Sequence, residues 1–388
     1  MFSKRFRRAR GKTIAVADIG SGSAGVAILS VRPGEPARII AAERCVLPFE
    51  NRDTDATISG VLAQLSAAGE KALAGYRAHM GQDAAPISKA YAIIRVPWTH
   101  SKTIRAGSQF PDDTLIEGEM VAGLARDALG KDTGFAQDRI LEASIVRVEL
   151  NGYPTAHPAG LRAHSINMGV LVSDCEPRIK SGVVEALSRT FSCAPPALRS
   201  GTRALLAVLR EAATLPKNCL IVDMTSEATN FIALRKGVAT EQALVPEGVR
   251  SILKRIATTA LPEETLSLMR LLETDRCEEA TCMALKASLG RAEPELVRVF
   301  GEAIGTIAAV RRLPNTLVLY VQEDFSSWLV QLFSRIDFAQ FTMTTRPFAP
   351  YALTNKSLES LVAYTSDVHP DTGLCVGSAL VNIEEGSA

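Results

Sequence analysis

Asp18 is followed by Gly20, Ser21, Gly22, Ser23 and Gly25, so one acid and a glycine–serine alternation fall within eight residues. Glycine reaches the positive φ of tight turns and lets a ligand approach the backbone. A row of exposed backbone N–H groups is a nest for an anion such as phosphate. An acid at the end of the preceding strand is placed to hold a water of a bound Mg²⁺. The same residues equally suit a plain hairpin in which Asp18 caps the turn, and a glycine-rich turn alone does not separate the two.

Either chemistry needs the same scaffold. Residues 13–17 are an apolar, β-branched run and the apolar run resumes at Val26, the pattern of two strands joined by a tight turn. About 205 residues later the logic repeats. Residues 218–234 read as an apolar strand, a terminal Asp223, a small polar turn and a second apolar strand, this time without glycine. Two such units predict a duplicated architecture with a cleft between its halves.

Hydrophobic periodicity supplies the rest. Residues 37–47 read as a third strand and 55–79 as a helix with Ile58, Val61, Leu62, Leu65 and Leu73 on its apolar side. Residues 89–96 are an apolar strand. Residues 110–130 read as a helix opened by Pro111, Asp112 and Asp113, acids suited to a helix N-terminus. Strands at 140–150 and 166–172 and a helix at 176–191 follow. Residues of about 86–175 thus form a compact unit inserted into a larger domain. Beyond it come a short helix at 203–214, a helix ending near 257, and a mostly helical stretch from 262 to 310 broken near Gly290–Pro294. A strand at 316–321 and a helix at 325–333 come next.

Composition narrows the classes. At 388 residues the chain is long for one core. A net charge of +1 provides no basic field for nucleic acid. Hydrophobic residues at 47% with aromatics at 5% suit a globular α/β protein. Seven scattered cysteines fit reduced thiols better than a disulfide framework, and Cys277 and Cys282 read as packing. The five histidines fall into no recognisable nucleophile–base–acid order. Trp98 and Trp328 read as core anchors. No apolar run reaches transmembrane length. The first twelve residues carry six positive charges and no acid. They suit either a solvated tail or an anionic membrane surface, with Lys4, Arg5, Arg7, Arg8 and Arg10 at the headgroups and Phe2 and Phe6 on one face.

This order of elements resembles the actin-like ATPase superfamily, and within it the FtsA/PilM group. The hairpin at Asp18, Gly20, Ser21, Gly22 and Ser23 looks like that group's first phosphate motif. Residues 203–210 followed by 219–229 are similar to its helix and second phosphate motif, and Pro246-Glu247-Gly248 with the helix after it resembles the next segment. The resemblance implies an α/β, ribonuclease H-like fold of two lobes around a nucleotide cleft, with a small α+β subdomain inserted. The first lobe would comprise 13–85 and 176–206, the insertion 86–175, and the second lobe 207–388, with 374–386 packing back on the first. It further implies ATP or ADP with Mg²⁺, Asp18 and Asp223 at the metal, and Asp18, Gly20, Ser21, Gly22, Ser23, Asp223, Thr225 and Thr229 around the nucleotide.

Two departures count against turnover. Thr225, Ser226 and Glu227 stand where the group carries glycines, and Glu227 sets a negative charge where phosphates approach. No glycine occurs between Gly305 and Gly373, so Val321, Gln322 and Glu323 fill the adenosine position. The short acidic end from Asn382 resembles the PilM branch more than the FtsA branch, which ends in an amphipathic helix. That branch implies a cytoplasmic adaptor at the inner face of a membrane, capturing a peptide of a pilus or envelope assembly protein in a groove between the insertion and the first lobe. Strand edges near residues 91–96 are candidates for strand addition. Self-association, an FtsA-type ATPase coupling nucleotide to polymerisation, and a small-molecule kinase of the same fold stay open.

Overall fold

The computed structural model describes residues 11–132, 134–257, 261–274 and 276–386. The tail residues Phe2, Lys4, Arg5, Phe6, Arg7, Arg8 and Arg10 lie outside them.

Three strands open the described chain as an antiparallel meander: β1 (Lys12–Ile19), β2 (Ser23–Val31) and β3 (Ala37–Val46). The helix α1 (Thr54–Met80) follows, its first turn capped by Asp53 accepting from the Ala56 N–H at 2.7 Å. The chain then enters β4 (Lys89–Ile94), parallel to β1. Residues 14–17 of β1 are all apolar because both faces of the strand are covered, and only Lys12 in β1 is exposed.

The insertion contains β5 (Ser101–Leu115), α2 (Gly118–Lys131), β6 (Ile140–Leu150), β7 (Tyr153–Thr155) and β8 (Arg162–Asp174). Its sheet has the order β5-β8-β6-β7, and a small core of Ile116, Val121, Val148, Met168 and Val170 lies under α2. The helix expected from residue 110 begins only at Gly118. Residues 110–115 extend β5 instead, with a pairing irregularity between Gln109 and Thr114 that accommodates Pro111, which has no N–H for the ladder.

The chain returns through α3 (Pro177–Phe191), β9 (Ala197–Ser200) and α4 (Gly201–Glu211). The second lobe then builds β10 (Cys219–Met224), β11 (Thr229–Arg235) and β12 (Val238–Val245), followed by α5 (Val249–Ala257), α6 (Pro262–Glu273) and α7 (Glu279–Val310). It ends with β13 (Thr316–Tyr320), α8 (Glu323–Arg335), β14 (Ala349–Ala352), β15 (Val362–Tyr364) and α9 (Thr372–Gly386). The break expected near Gly290 and Pro294 is absent, and α7 runs through both. Leu285, Leu289, Ala292, Leu296 and Phe300 keep one buried stripe across the proline, while exposed Gly290 leaves its unpaired carbonyl to water. Cys277 and Cys282, expected as packing residues, are joined as a disulfide.

The sheet orders carry the duplication. One reads β15-β3-β2-β1-β4-β9 and the other β12-β11-β10-β13-β14, so a meander followed by two parallel strands occurs twice. Between the sheets α4 and α9 share a core with Val16, Tyr91, Ile221 and Val318. Outside them, α1 and α3 cover the first sheet, and α5, α7 and α8 cover the second.

Three expected placements change. β4 lies inside the first sheet, between β1 and β9, so the inserted sheet begins at Ser101 rather than near residue 86. For the same reason residues 91–94 have partners on both sides and present no open edge. The chain also rejoins the first sheet earlier than residue 374, when β15 pairs with β3. Among the described residues no helix is long and apolar enough to cross a membrane.

Candidate functional site

Asp18 and Asp223 occupy equivalent positions at the ends of β1 and β10, and both are buried. Each already has a cation. Arg44, on β3, places a guanidinium nitrogen 2.7 Å from Asp18 Oδ2 and contacts Asp371 through two nitrogens, at 2.5 and 2.9 Å. Its remaining nitrogen donates to Ser23 Oγ at 2.9 Å. Arg95, just beyond β4, reaches across the lobes to Asp223 at 2.5 Å and lies over the Tyr320 ring at 4.0 Å. Burial pushes the Asp223 carboxyl above its ordinary value, and Arg95 opposes this only in part. Burial also works against Asp371, but there Arg44 prevails and holds the carboxyl below its usual range.

The glycines of the first turn serve this arrangement. None of Gly20, Gly22 and Gly25 has a positive φ, so the left-handed backbone expected of the turn is not what selects them. Gly25 faces Arg44 across the β2–β3 ladder, and a Cβ there would lie 2.8 Å from the guanidinium. A Cβ on Gly22 would lie 2.3 Å from Ser226 Cβ, in the opposite turn. Close approach within the protein is the requirement at both.

The two turns meet. Ser21 Oγ is 3.0 Å from Thr225 Oγ1 and accepts from the Glu227 N–H at 2.9 Å. Thr225 Oγ1 donates to the Val96 carbonyl, and Trp98 Nε1 donates to the Gly20 carbonyl, both at 3.0 Å. Thr225 N–H closes its own turn on the Ala228 carbonyl. The first N–H groups of α5, from Val249 and Arg250, are taken by the Thr225 and Ser226 carbonyls, an approach that Gly248 permits because a Cβ there would meet both at 2.5 Å. Thr229 is buried away from the cleft with its hydroxyl on the Glu247 carbonyl. Glu227 is paired with Arg250 at 2.6 Å.

Above the joined turns a cavity of ≈ 290 Å³ remains, lined by the first turn, Arg44, Arg95, residues 320–324 and Gly373. Asp18 Oδ1 and Asp223 Oδ2 are buried without a hydrogen-bond partner among the described residues, and neither acid lines that cavity.

No protein-family model and no curated protein matches the sequence. Solved structures do match. That of the PilM-PilN type IV pilus biogenesis complex aligns over 97% of this chain and 99% of the other, with a TM-score of 0.58 and 14% identity. The ethanolamine utilization protein EutJ from Carboxydothermus hydrogenoformans aligns over 96% and 91%, with a TM-score of 0.45 and 10% identity. The fold is actin-like.

Within the actin-like frame, the structure brings Asp18, Gly20, Ser21, Gly22, Ser23, Asp223 and Thr225 together and leaves Thr229 apart. Sequence reasoning missed Arg44, Arg95 and Asp371; Trp98, expected as a core anchor, is buried in the first-lobe core and also bonds the first turn. Arg95 had a legible signal, since a cation directly after the apolar run 90–94 must find a partner if that strand is buried. Asp371 had none. A larger cavity of ≈ 780 Å³ lies between the insertion and the second lobe.

Proposed function

We propose that the chain is an actin-like adaptor whose nucleotide cleft has become a structural joint, and that it acts by binding an inner-membrane assembly protein from the cytoplasmic side. The observation that carries this reading is the pair of internal ion pairs, Arg44 on Asp18 and Arg95 on Asp223, beneath two turns in direct contact. Mg²⁺ with ATP or ADP does not fit these residues. A divalent ion at the two free carboxylate oxygens would face a guanidinium at each acid, and like charges at such range repel strongly in a buried site. Part of the backbone donor set that would cradle phosphate in a nest is already spent on protein acceptors: Gly20 N–H on the Ser23 carbonyl, Thr225 N–H on the Ala228 carbonyl and Glu227 N–H on Ser21 Oγ. The residual cavity is at the small end of the roughly 300–1,000 Å³ usual for ligand sites.

The partner half of the reading draws on the PilM fold solved in complex with PilN. A protein partner at the membrane predicts that the purified chain sediments with inner-membrane vesicles from its own cells, and that protease treatment of those vesicles abolishes this. Binding to protein-free anionic liposomes instead would assign the attachment to lipid. No sedimentation with either would contradict the reading.

A further inference from the structure

The ≈ 780 Å³ cavity is built from the face of the inserted sheet that α2 does not cover and from the end of the second lobe. On the inserted sheet, Gly169 of β8 stands in register with Arg105 of β5 on one side and Arg147 of β6 on the other. A Cβ at Gly169 would meet methyl groups of Thr103, Val146 and Val238 at 3.3, 3.6 and 3.8 Å, so the ground between the two arginines is apolar and covered. Opposite, the β11–β12 turn supplies Arg235 and Lys236, and Arg311 follows from the end of α7. Five cationic side chains therefore line the cavity against one carboxylate, Glu149, which Arg147 already holds at 2.6 Å. Arg105, Lys236 and Arg311 have no ion-pair partner among the described residues.

Two buried polar atoms on the walls also lack hydrogen-bond partners, Thr103 Oγ1 and Arg235 Nε. The Arg235 side chain is 10% exposed and its nearest carboxylate, Glu241, is 3.9 Å away. Burial, and then Arg311 beside it, hold the Arg235 guanidinium below its ordinary value. A cation in that position is relieved by an incoming anion.

Val238, Ala239 and Met343 add apolar ground beside the cations on the second-lobe side, whereas the Ala106 and Met168 side chains turn to the core under α2. β5 and β12 are the edge strands of their sheets and both border the cavity, each with one side unpaired. Such walls suit an extended chain whose side chains point alternately to apolar and to cationic ground.

We propose that this cavity binds an extended segment of a protein partner in which acidic and apolar residues alternate, with its carboxylates on Arg105, Arg147, Arg235 and Arg311. This rests on the adaptor reading and names the chemistry of the segment captured.

The test is fluorescence anisotropy of the full chain with a fluorescein-labelled octapeptide alternating Asp and Val, at about 0.15 M salt to screen loose surface attraction. The comparison peptide carries Asn for Asp, and inorganic tripolyphosphate is the competitor. Saturable binding of the Asp peptide only is expected, weakened about tenfold in Arg105→Ala/Arg311→Ala, which removes one exposed cation from each wall and breaks no ion pair. A matching thermal midpoint shows that this variant folds. Failure of the Asp peptide to bind, equal binding of the Asn peptide, or indifference to the double variant overturns the proposal. Displacement by tripolyphosphate as strong as by unlabelled peptide assigns the cavity to small anions and also overturns it. Binding of Mg²⁺-ATP by the same sample reports on the cleft instead, so failure of the adaptor reading is seen separately.

Discussion

Ser21 Oγ and Thr225 Oγ1 are 3.0 Å apart, although 204 positions separate them in the chain. That contact joins the two lobes at the point where an actin-like cleft would admit phosphate, and it depends on how closely the turns approach. Gly22→Ala puts a methyl group 2.3 Å from Ser226 Cβ, so the turns must part. Overpacking of this kind costs about 1–3 kcal/mol in urea denaturation. Adding Ser226→Gly in the same chain is expected to recover most of the loss. Recovery distinguishes this clash from a general intolerance of the turn.

Arg95→Met removes the only described cation bonded to Asp223 and leaves a buried carboxylate unpaired. Losing one partner of a buried pair costs about 3–5 kcal/mol, and Asp223→Asn in the same background should restore part of it. The pH dependence has a definite sign. Burial raises the Asp223 carboxyl in the folded state, so the neutral form favours folding, and that contribution fades as pH rises through the raised value. Without Arg95 the effect deepens. The variant is therefore expected to lose less stability relative to the parent at about pH 5 than at about pH 8.

At the other end of α9, Glu385 accepts from Lys12 Nζ at 2.7 Å and from Lys89 Nζ and Tyr91 OH at 2.8 Å. Burial opposes its ionisation, but these donors outweigh it and bring the carboxyl down to about 2. A depressed carboxyl stabilises the fold above its unfolded value of about 4.3, and the contribution is lost as pH falls towards the folded value. Glu385→Gln should therefore lower the thermal midpoint at neutral pH, with the difference from the parent shrinking as pH drops below about 4.

The strand–acid–turn–strand units at Asp18 and Asp223 were legible because apolar β-branched runs ending in one acid have few structural uses, and their repetition announced two lobes. The insertion was legible as well, except for its borders. Pro111 and the acids after it suit a helix start and a strand irregularity equally, and only pairing with β8 decides. Pro294 reads as a helix breaker until the buried stripe of α7 is seen to continue past it. The glycines misled in an informative way. Local sequence cannot tell whether a glycine admits a phosphate, a guanidinium or a neighbouring turn, because the group that fills the space comes from far along the chain. Arg44 and Asp371 are 327 positions apart and carry no mark of their pairing.

On the proposed reading, protein groups occupy the cleft where Mg²⁺ and nucleotide would sit in an actin-like fold. Titration of a fluorescent ATP analogue into the full chain, with and without Mg²⁺ and beside Asp18→Ala, tests it most directly. No saturable, Mg²⁺-dependent binding by either protein is expected. Micromolar binding that requires Mg²⁺ and disappears in Asp18→Ala would contradict it and return the chain to the nucleotide-driven members of its fold.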